Sequence, residues 1–421
     1  MLFLFHNSEV SFKEKIQRIR ENDPHMTKLV EGNHDSYIQN MTNEEWEKLG
    51  WDIANTHLTD LCLHGGALND HRMSLLFRGL TSSISIIKMN LENNGLSVAA
   101  IRSMVPFLQN AYHLKSLDLG GNNFRSEGFN LMFRALRNTP IELLDCSACG
   151  IDSMEIDSEH IPRNLEVLLL AANSIDADGC CEIAKLLQGG NATLERLNLD
   201  NNKIDDDGVD ILVDALQSNT SLENIYLRGS PGDQWGNRGI SKRGMIMMLK
   251  LVNDISSIDA TLQSNHTLKN SIPLSVDDQA IMHFENAAWI SRNTDSPEAA
   301  GREKVIRTQL HSETRAKLAE MQGVNHSLYS EINPLHLPEV LAMVGRHHGQ
   351  GELYIALKAS IAGVISTVNR KQCILVQMAY YASKLEQLGA ELAAIDEAAQ
   401  GGRAEDGESR SSKRRRKWWW W

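Results

Sequence analysis

The chain has 421 residues, 42% hydrophobic and 23% charged, with a formal net charge of −12 at neutral pH. That length supports an extended core, and the acidic balance argues against nucleic acid as the main ligand, the one compact basic run lying near the C-terminus. The opening apolar stretch stops at His6, short of the roughly 7 to 15 residues of a secretory signal, and no window reaches the 18 or so apolar residues of a membrane span, so neither secretion nor membrane insertion is expected.

Residues 1–45 read as an N-terminal cap, in which Phe12, Ile16 and Ile19 share one helical face and Met26 with Leu29 opens a degraded first strand. Residues 46–275 carry a repeat. Seven stretches fit one template of an aliphatic residue, two others, an aliphatic, one other and an aliphatic, starting about 28 residues apart. The clearest are Leu114-Leu117-Leu119, Leu165-Leu168-Leu170 and Leu194-Leu197-Leu199. Weaker copies begin at Leu58, Ile86, Ile141 and Leu222, and a degenerate eighth at Ile255 with Ile258.

Side chains alternate across a strand, so the second and third aliphatics of each copy point into a shared core while their neighbours face solvent. The Asn that follows, as Asn94, Asn122, Asn173 and Asn202, is placed to satisfy backbone groups where the strand turns away, a task Cys149 performs more weakly. Leu80, Leu108, Leu136, Leu187 and Leu216, each 22 positions beyond the start of their copy, form the core face of a returning helix. Gly128, Gly179 and Gly208 share one position just before that helix, which predicts a turn that needs a residue without Cβ. The copy from Ile141 is short at 24 residues, and irregular chain from Asp152 to Pro162 is expected in place of its helix. The copy from Leu222 is stretched to 33 residues by a loop, Gly229 to Arg238, that carries Trp235 as a recognition residue or a plug.

This repeat length with a full helix on the return leg resembles the ribonuclease-inhibitor-like subfamily of leucine-rich-repeat proteins, which includes cytosolic immune-receptor repeats and activators of the Ran GTPase. The resemblance implies an α/β fold, a right-handed horseshoe solenoid with a parallel concave sheet and convex helices. It also supplies an alternative function, a GTPase-activating protein of the Ran-regulator type. With six Cys the chain lacks the dense cysteine usage of ribonuclease inhibitors. The repeats together with the C-terminal region resemble predicted leucine-rich-repeat proteins of unicellular algae, which implies no mechanism.

A helical C-terminal region is expected over 276–400, with helices around 299–323, 337–347, 351–368 and 370–399. In the last, Ile374, Met378, Tyr381, Leu385, Leu388, Leu392 and Ile395 are spaced 4-3-4-3-4-3, either a short coiled-coil seam for homo-oligomerisation or a helix packed on its own domain. An oligomeric structural protein is therefore a further alternative, testable by sedimentation after truncation at Asn369. Residues 401–421 read as a disordered basic tail in which Lys413-Arg414-Arg415-Arg416-Lys417 is either a nuclear-import signal or an anion-binding patch, so the expected location is cytoplasmic with a nuclear alternative. Trp418 to Trp421 have no physical account.

No catalytic constellation is present. Gly236 to Gly244 and Gly345 to Gly351 lack the Gly-Lys-Ser/Thr ending of a phosphate loop, His347 and His348 are adjacent instead of one helical turn apart, and no Gly-x-Ser-x-Gly elbow occurs. Cys146 and Cys149 fall on core slots and read as buried thiols, with zinc the minor alternative, and Asn191, Asn219 and Asn265 read as helix-stop residues. No cofactor or metal is expected, and the reading is a non-enzymatic scaffold. The solvent-facing strand positions form the candidate surface: an apolar centre of Leu143, Val167, Leu169 and Ala171, ringed by Asp118, Asp145, Arg196, Asn198, Tyr226 and Arg228, with Trp235 at the rim. An apolar centre with a polar rim is how protein-binding surfaces are built.

Overall fold

Eight short strands pair in chain order into one parallel sheet, with the return helices on one side of it. The structure is a computed structural model; it describes residues 11–32, 36–157, 161–188, 193–229, 237, 239–269, 278–309 and 312–324. In chain order the elements are α1 (Phe12–Arg20), β1 (Lys28–Glu31), α2 (Ser36–Asn40), α3 (Asn43–Ala54), β2 (Asp60–Leu63), α4 (Asp70–Leu80), β3 (Lys88–Asn90) and α5 (Val98–Leu108). They continue with β4 (Ser116–Asp118), α6 (Arg125–Ala135), β5 (Leu143–Asp145), β6 (Val167–Leu169), α7 (Ala177–Gln188), β7 (Arg196–Asn198), α8 (Asp206–Gln217) and β8 (Asn224–Tyr226). Five helices close the described chain: α9 (Lys242–Val252), α10 (Ile258–Gln263), α11 (Asp278–Arg292), α12 (Pro297–Lys304) and α13 (Ser312–Gln322).

The repeat is carried by its core. Leu29, Leu61, Met89, Leu117, Leu144, Leu168, Leu197 and Ile225 are paired strand to strand and all buried. Leu80, Leu108, Leu136, Leu187 and Leu216 meet them from the helix side, also buried. The asparagines form a ladder between copies. The Asn122 amide donates to Leu91 O and Leu119 O at 3.0 and 2.7 Å and accepts from the Asn94 and Leu96 N–H groups at 3.1 and 3.0 Å; Asn94, Asn173 and Asn202 repeat the pattern. Each amide thus binds two copies at a place where the backbone has no strand partner, which is why a buried side chain with both a donor and an acceptor is required.

One slot earlier in six of the copies the backbone is left-handed, at Gly65, Asn93, Gly121, Ala148, Ala172 and Asn201 with φ between 53° and 69°. Gly and Asn enter that region cheaply, and Ala does not. By contrast, the turn expected at Gly128, Gly179 and Gly208 is absent, because all three lie inside the first turn or two of α6, α7 and α8. A Cβ there would come within 2.7 Å of Phe124, 2.6 Å of Ile175 and 2.9 Å of Ile204, so the glycine serves close packing and not backbone freedom. The tightest helix contact is between α3 and α4, where a Cβ on Gly50 would lie 2.1 Å from Leu76 O and one on Gly79 2.4 Å from Trp51 N.

The repeat starting at Leu222 ends differently from the sequence expectation. Ile255 is buried beside α10, which is helical, and no strand starts there. The arrangement that opens a copy recurs instead at Leu268, where Lys269 N–H donates to Glu223 O at 2.8 Å and Asn265 takes the place that Asn219 holds before Leu222. The expected helix over 299–323 is three pieces, α12, a π-helical segment Val305–Gln309, and α13. Preceding them is α11, which buries Ala280, Phe284, Ala287 and Ala288 and packs on α9. Lys304, fully buried, ties α12 to the last repeat by donating to Val252 O at 2.8 Å, and Gln322 on α13 donates to Asn253 O at 2.9 Å. The helices expected beyond 325, the seam at 374–395, the basic run at 413–417 and Trp235 lie outside the described residues.

Candidate functional site

The strand alternation sets one side of the sheet free. On β4 to β8 the outward positions are Ser116 and Asp118, Leu143 and Asp145, Val167 and Leu169, Arg196 and Asn198, and Asn224 and Tyr226, in register across the five strands. The flanking residues Ala171, Asp200 and Arg228 each stand two positions after the end of their strands. Leu143, Val167, Leu169 and Ala171 are each half-buried, adjacent, and without any described helix over them, while the residues between them in sequence are fully buried. Ten of the eleven candidate residues therefore lie on five neighbouring strands or two positions after them; the eleventh is Trp235.

The polar rim is less free than the sequence implies. Asp118 Oδ1 accepts from Gly120 N–H at 3.0 Å and its Oδ2 from the Asn90 amide at 2.9 Å. Asp145 accepts from Ser147 N–H at 2.8 Å, and Asn198 from Asp200 N–H at 2.9 Å. These are Asx turns that end the strands, so part of each side chain's hydrogen-bonding capacity is spent on the fold. The signal was in the sequence: Asn90, Asp118, Asp145 and Asn198 all occupy the fifth position of their copies. At the far end the Arg228 guanidinium lies 5.9 Å from the Tyr226 ring centre, and Asp200 accepts from Arg228 N–H at 2.6 Å.

Two of these carboxyls are electrostatically stressed. Burial pushes Asp118 above the usual carboxylate range, opposed by the Gly120 N–H and reinforced by the charges of Asp145 and Glu92. Asp200 is raised by burial and held back by Arg228. Burial also raises the Cys62 thiol on β2, with Asp118 and Glu92 adding to it, and pushes Cys149 and Cys180 up to about 12. Thiols raised to about 12 are protonated at neutral pH and are poor nucleophiles.

Among the described residues no group of three or more His, Cys, Asp or Glu side chains is arranged to hold a metal, and no helix is long and apolar enough to cross a membrane. On the helix side a groove of about 500 Å³ lies between α5 and α6, lined by Val105, Gln109, Leu131, Arg134, Ala135, Arg137 and Asn138. Its Arg134 is already paired with Glu155 at 2.5 Å. Sequence reasoning also missed Asn237, which rejoins the ladder after the insertion by accepting from Asn202 and Ile204 N–H at 3.2 and 3.1 Å and donating to Leu199 O at 2.9 Å.

A family profile described as "Leucine Rich repeat" matches residues 112–129 and 190–212. Ribonuclease inhibitor of Mus musculus is 26% identical over 195 residues, covering 45% of this chain and 42% of that protein. The Homo sapiens "NACHT, LRR and PYD domains-containing protein 5" is 25% identical over 210 residues, covering 48% of this chain and 17% of that protein. The chain thus spans less than half the length of either relative. A solved structure, "Leiomodin-1 Actin-Binding Site 2 (ABS2)", aligns with a TM-score of 0.25 and 19% identity over 45% of this chain and 79% of that one. Repeat spacing, strand register and these sequence matches together show a leucine-rich-repeat fold similar to that of the ribonuclease-inhibitor-like proteins.

Proposed function

We propose that the protein is a non-enzymatic interaction scaffold that holds a protein or peptide on the open face of β4 to β8. One observation carries the reading: four adjacent outward positions, Leu143, Val167, Leu169 and Ala171, are apolar on strands whose other outward positions are mostly polar. Magnitudes favour those four as the affinity centre. Covering the exposed halves of Leu143, Val167 and Leu169 is worth on the order of 3 kcal/mol in total. A solvent-exposed ion pair at the rim contributes about 0 to 1 kcal/mol. The apolar centre therefore supplies affinity while Arg196 and Asp145 choose among partners.

Affinity capture from cell extract with wild-type protein and Leu169→Asp tests this. Proteins retained by the wild type should be lost from the variant while its thermal unfolding midpoint stays within a few degrees, because residue 169 points out of the core. Retention of the same proteins by the variant would place the binding elsewhere.

A further inference from the structure

At the leading edge of the strands, one residue stands just before the first outward position. From the copy at Leu114 onward these are Lys115, Glu142, Glu166, Glu195, Glu223 and Lys269. They form a continuous row, since the N–H of each donates to the carbonyl of the one before at 2.8 to 2.9 Å. Four carboxylates therefore stand on neighbouring copies, roughly 5 Å apart at the backbone. Like charges directly opposite one another across strands are destabilising.

Ion pairs close the row at its two ends and not in its middle. Lys115 pairs with Glu142 at 2.5 Å, and Lys269 pairs with Glu223. Glu166 and Glu195, both exposed, have no ion-pair partner among the described residues. That gap lies at the leading edge of the strands that carry and flank the apolar centre, since Glu166 immediately precedes Val167 of β6 and Glu195 precedes Arg196 of β7. Asp145, on the other side of the centre, uses its Oδ1 for Ser147 N–H and has no ion-pair partner among the described residues. Arg196 is the only cation at an outward position of β5, β6 or β7, and three carboxylates on or beside those strands, Asp145, Glu166 and Glu195, carry no ion pair among the described residues.

We infer, building on the docking reading above, that the occupant of this face is a linear segment with an apolar side chain set between basic ones, its cations seated on Glu166, Glu195 and Asp145. The spacing suits such a segment. Basic residues two apart on an extended chain lie about 6.6 Å apart, and residues three or four apart on a helix about 5 to 6 Å, both near the repeat of the glutamate row. The overall charge of −12 draws a basic segment toward the protein before contact.

The test is selection of a random peptide library displayed on phage against the full-length chain, followed by direct binding of the enriched peptides to variants. Enriched sequences should hold an apolar residue flanked by Lys or Arg. Their affinity should fall roughly tenfold in Glu166→Gln/Glu195→Gln and weaken further with added salt. That double variant should unfold at an equal or higher temperature than wild type, since it relieves repulsion; loss of binding with gain of stability separates recognition from a structural role. Enrichment of neutral or acidic sequences that are lost in Leu169→Asp but unchanged in the double glutamine variant overturns the cationic occupant and leaves docking on this face intact. Peptides that bind Leu169→Asp and Leu169→Ala as well as wild type, or no enrichment at all, overturn both.

Discussion

The copy from Leu194 and the copy from Ile141 have the same strand and opposite supports. The first has Asn202 in the ladder, Asn201 at the left-handed position and the full helix α8 on its return leg. The second has Cys149 in the ladder, whose sulfur reaches Leu119 O at 3.2 Å, and Ala148 at the left-handed position. From Ile151 to Asp157 it has no helix. In place of a helix, polar contacts anchor the chain: Glu155 N–H donates to Asn130 at 3.0 Å and Ile156 N–H to Glu182 at 2.8 Å. The strand core alone is enough to keep register, and the ladder and helix determine how firmly a copy is held. The apolar centre of the open face lies on the weakly supported copy and its neighbour, whose left-handed position is Ala172.

The widest gap between the two kinds of copy should appear on deleting ladder side chains. Asn173→Ala leaves five backbone groups without their partner and should cost about 3 kcal/mol, against about 1 kcal/mol for Cys149→Ala, read as urea unfolding midpoints. Equal losses would mean that a thiol supports the ladder as well as an amide.

Acid provides the next contrast, because the described ladder has no side chain that titrates there and the C-terminal end does. Burial, reinforced by the Lys304 charge, lowers the His266 imidazole from 6.5 to about 4. A base lowered in the folded state costs nothing above pH 6.5, and its penalty grows as pH falls toward 4, reaching at most about 3 kcal/mol. Hydrogen-exchange protection, taken relative to the intrinsic rate at each pH, should therefore fall in α12 before β4 to β7 on acidification, and His266→Gln should flatten that response. Uniform loss of protection along the chain would contradict it.

Cys149→Asn should make the short copy resemble its neighbours, with a gain of about 1 kcal/mol from one further ladder hydrogen bond. Destabilisation instead would show that the 24-residue spacing leaves no room for the amide. The smallest effect belongs to Ala148→Gly and Ala172→Gly. Relief of left-handed strain, about 1 kcal/mol, is partly offset by the entropy of glycine, so each should stabilise by about 0.5 kcal/mol in thermal unfolding. A loss of stability in both would remove strain from the account of this region.

Much of the architecture was readable from residue spacing. Leu117, Leu144, Leu168 and Leu197 alternate with outward residues in the sequence and do so in space, because a strand's two faces are set by local geometry. The short copy was equally plain, since 24 residues cannot hold what 28 hold. Less legible was anything that depends on which residues of different copies become neighbours. Asp118 and Asp145 read as rim charges and turned out to be partly consumed as strand-end turns. Gly179 read as a turn and turned out to make room for Ile175. The recurrence at Leu268 was missed because a helix, α10, occupies the place where the template predicted a strand.

The sequence alone determined the strand faces, the helix return and the buried core, because those follow from periodicity within a single copy. Only stacking decided which charges meet. Glu142 and Glu223 form ion pairs with Lys115 and Lys269 while Glu166 and Glu195 have none among the described residues, and that depends on contacts between residues 24 to 46 positions apart, which no pattern within one copy encodes.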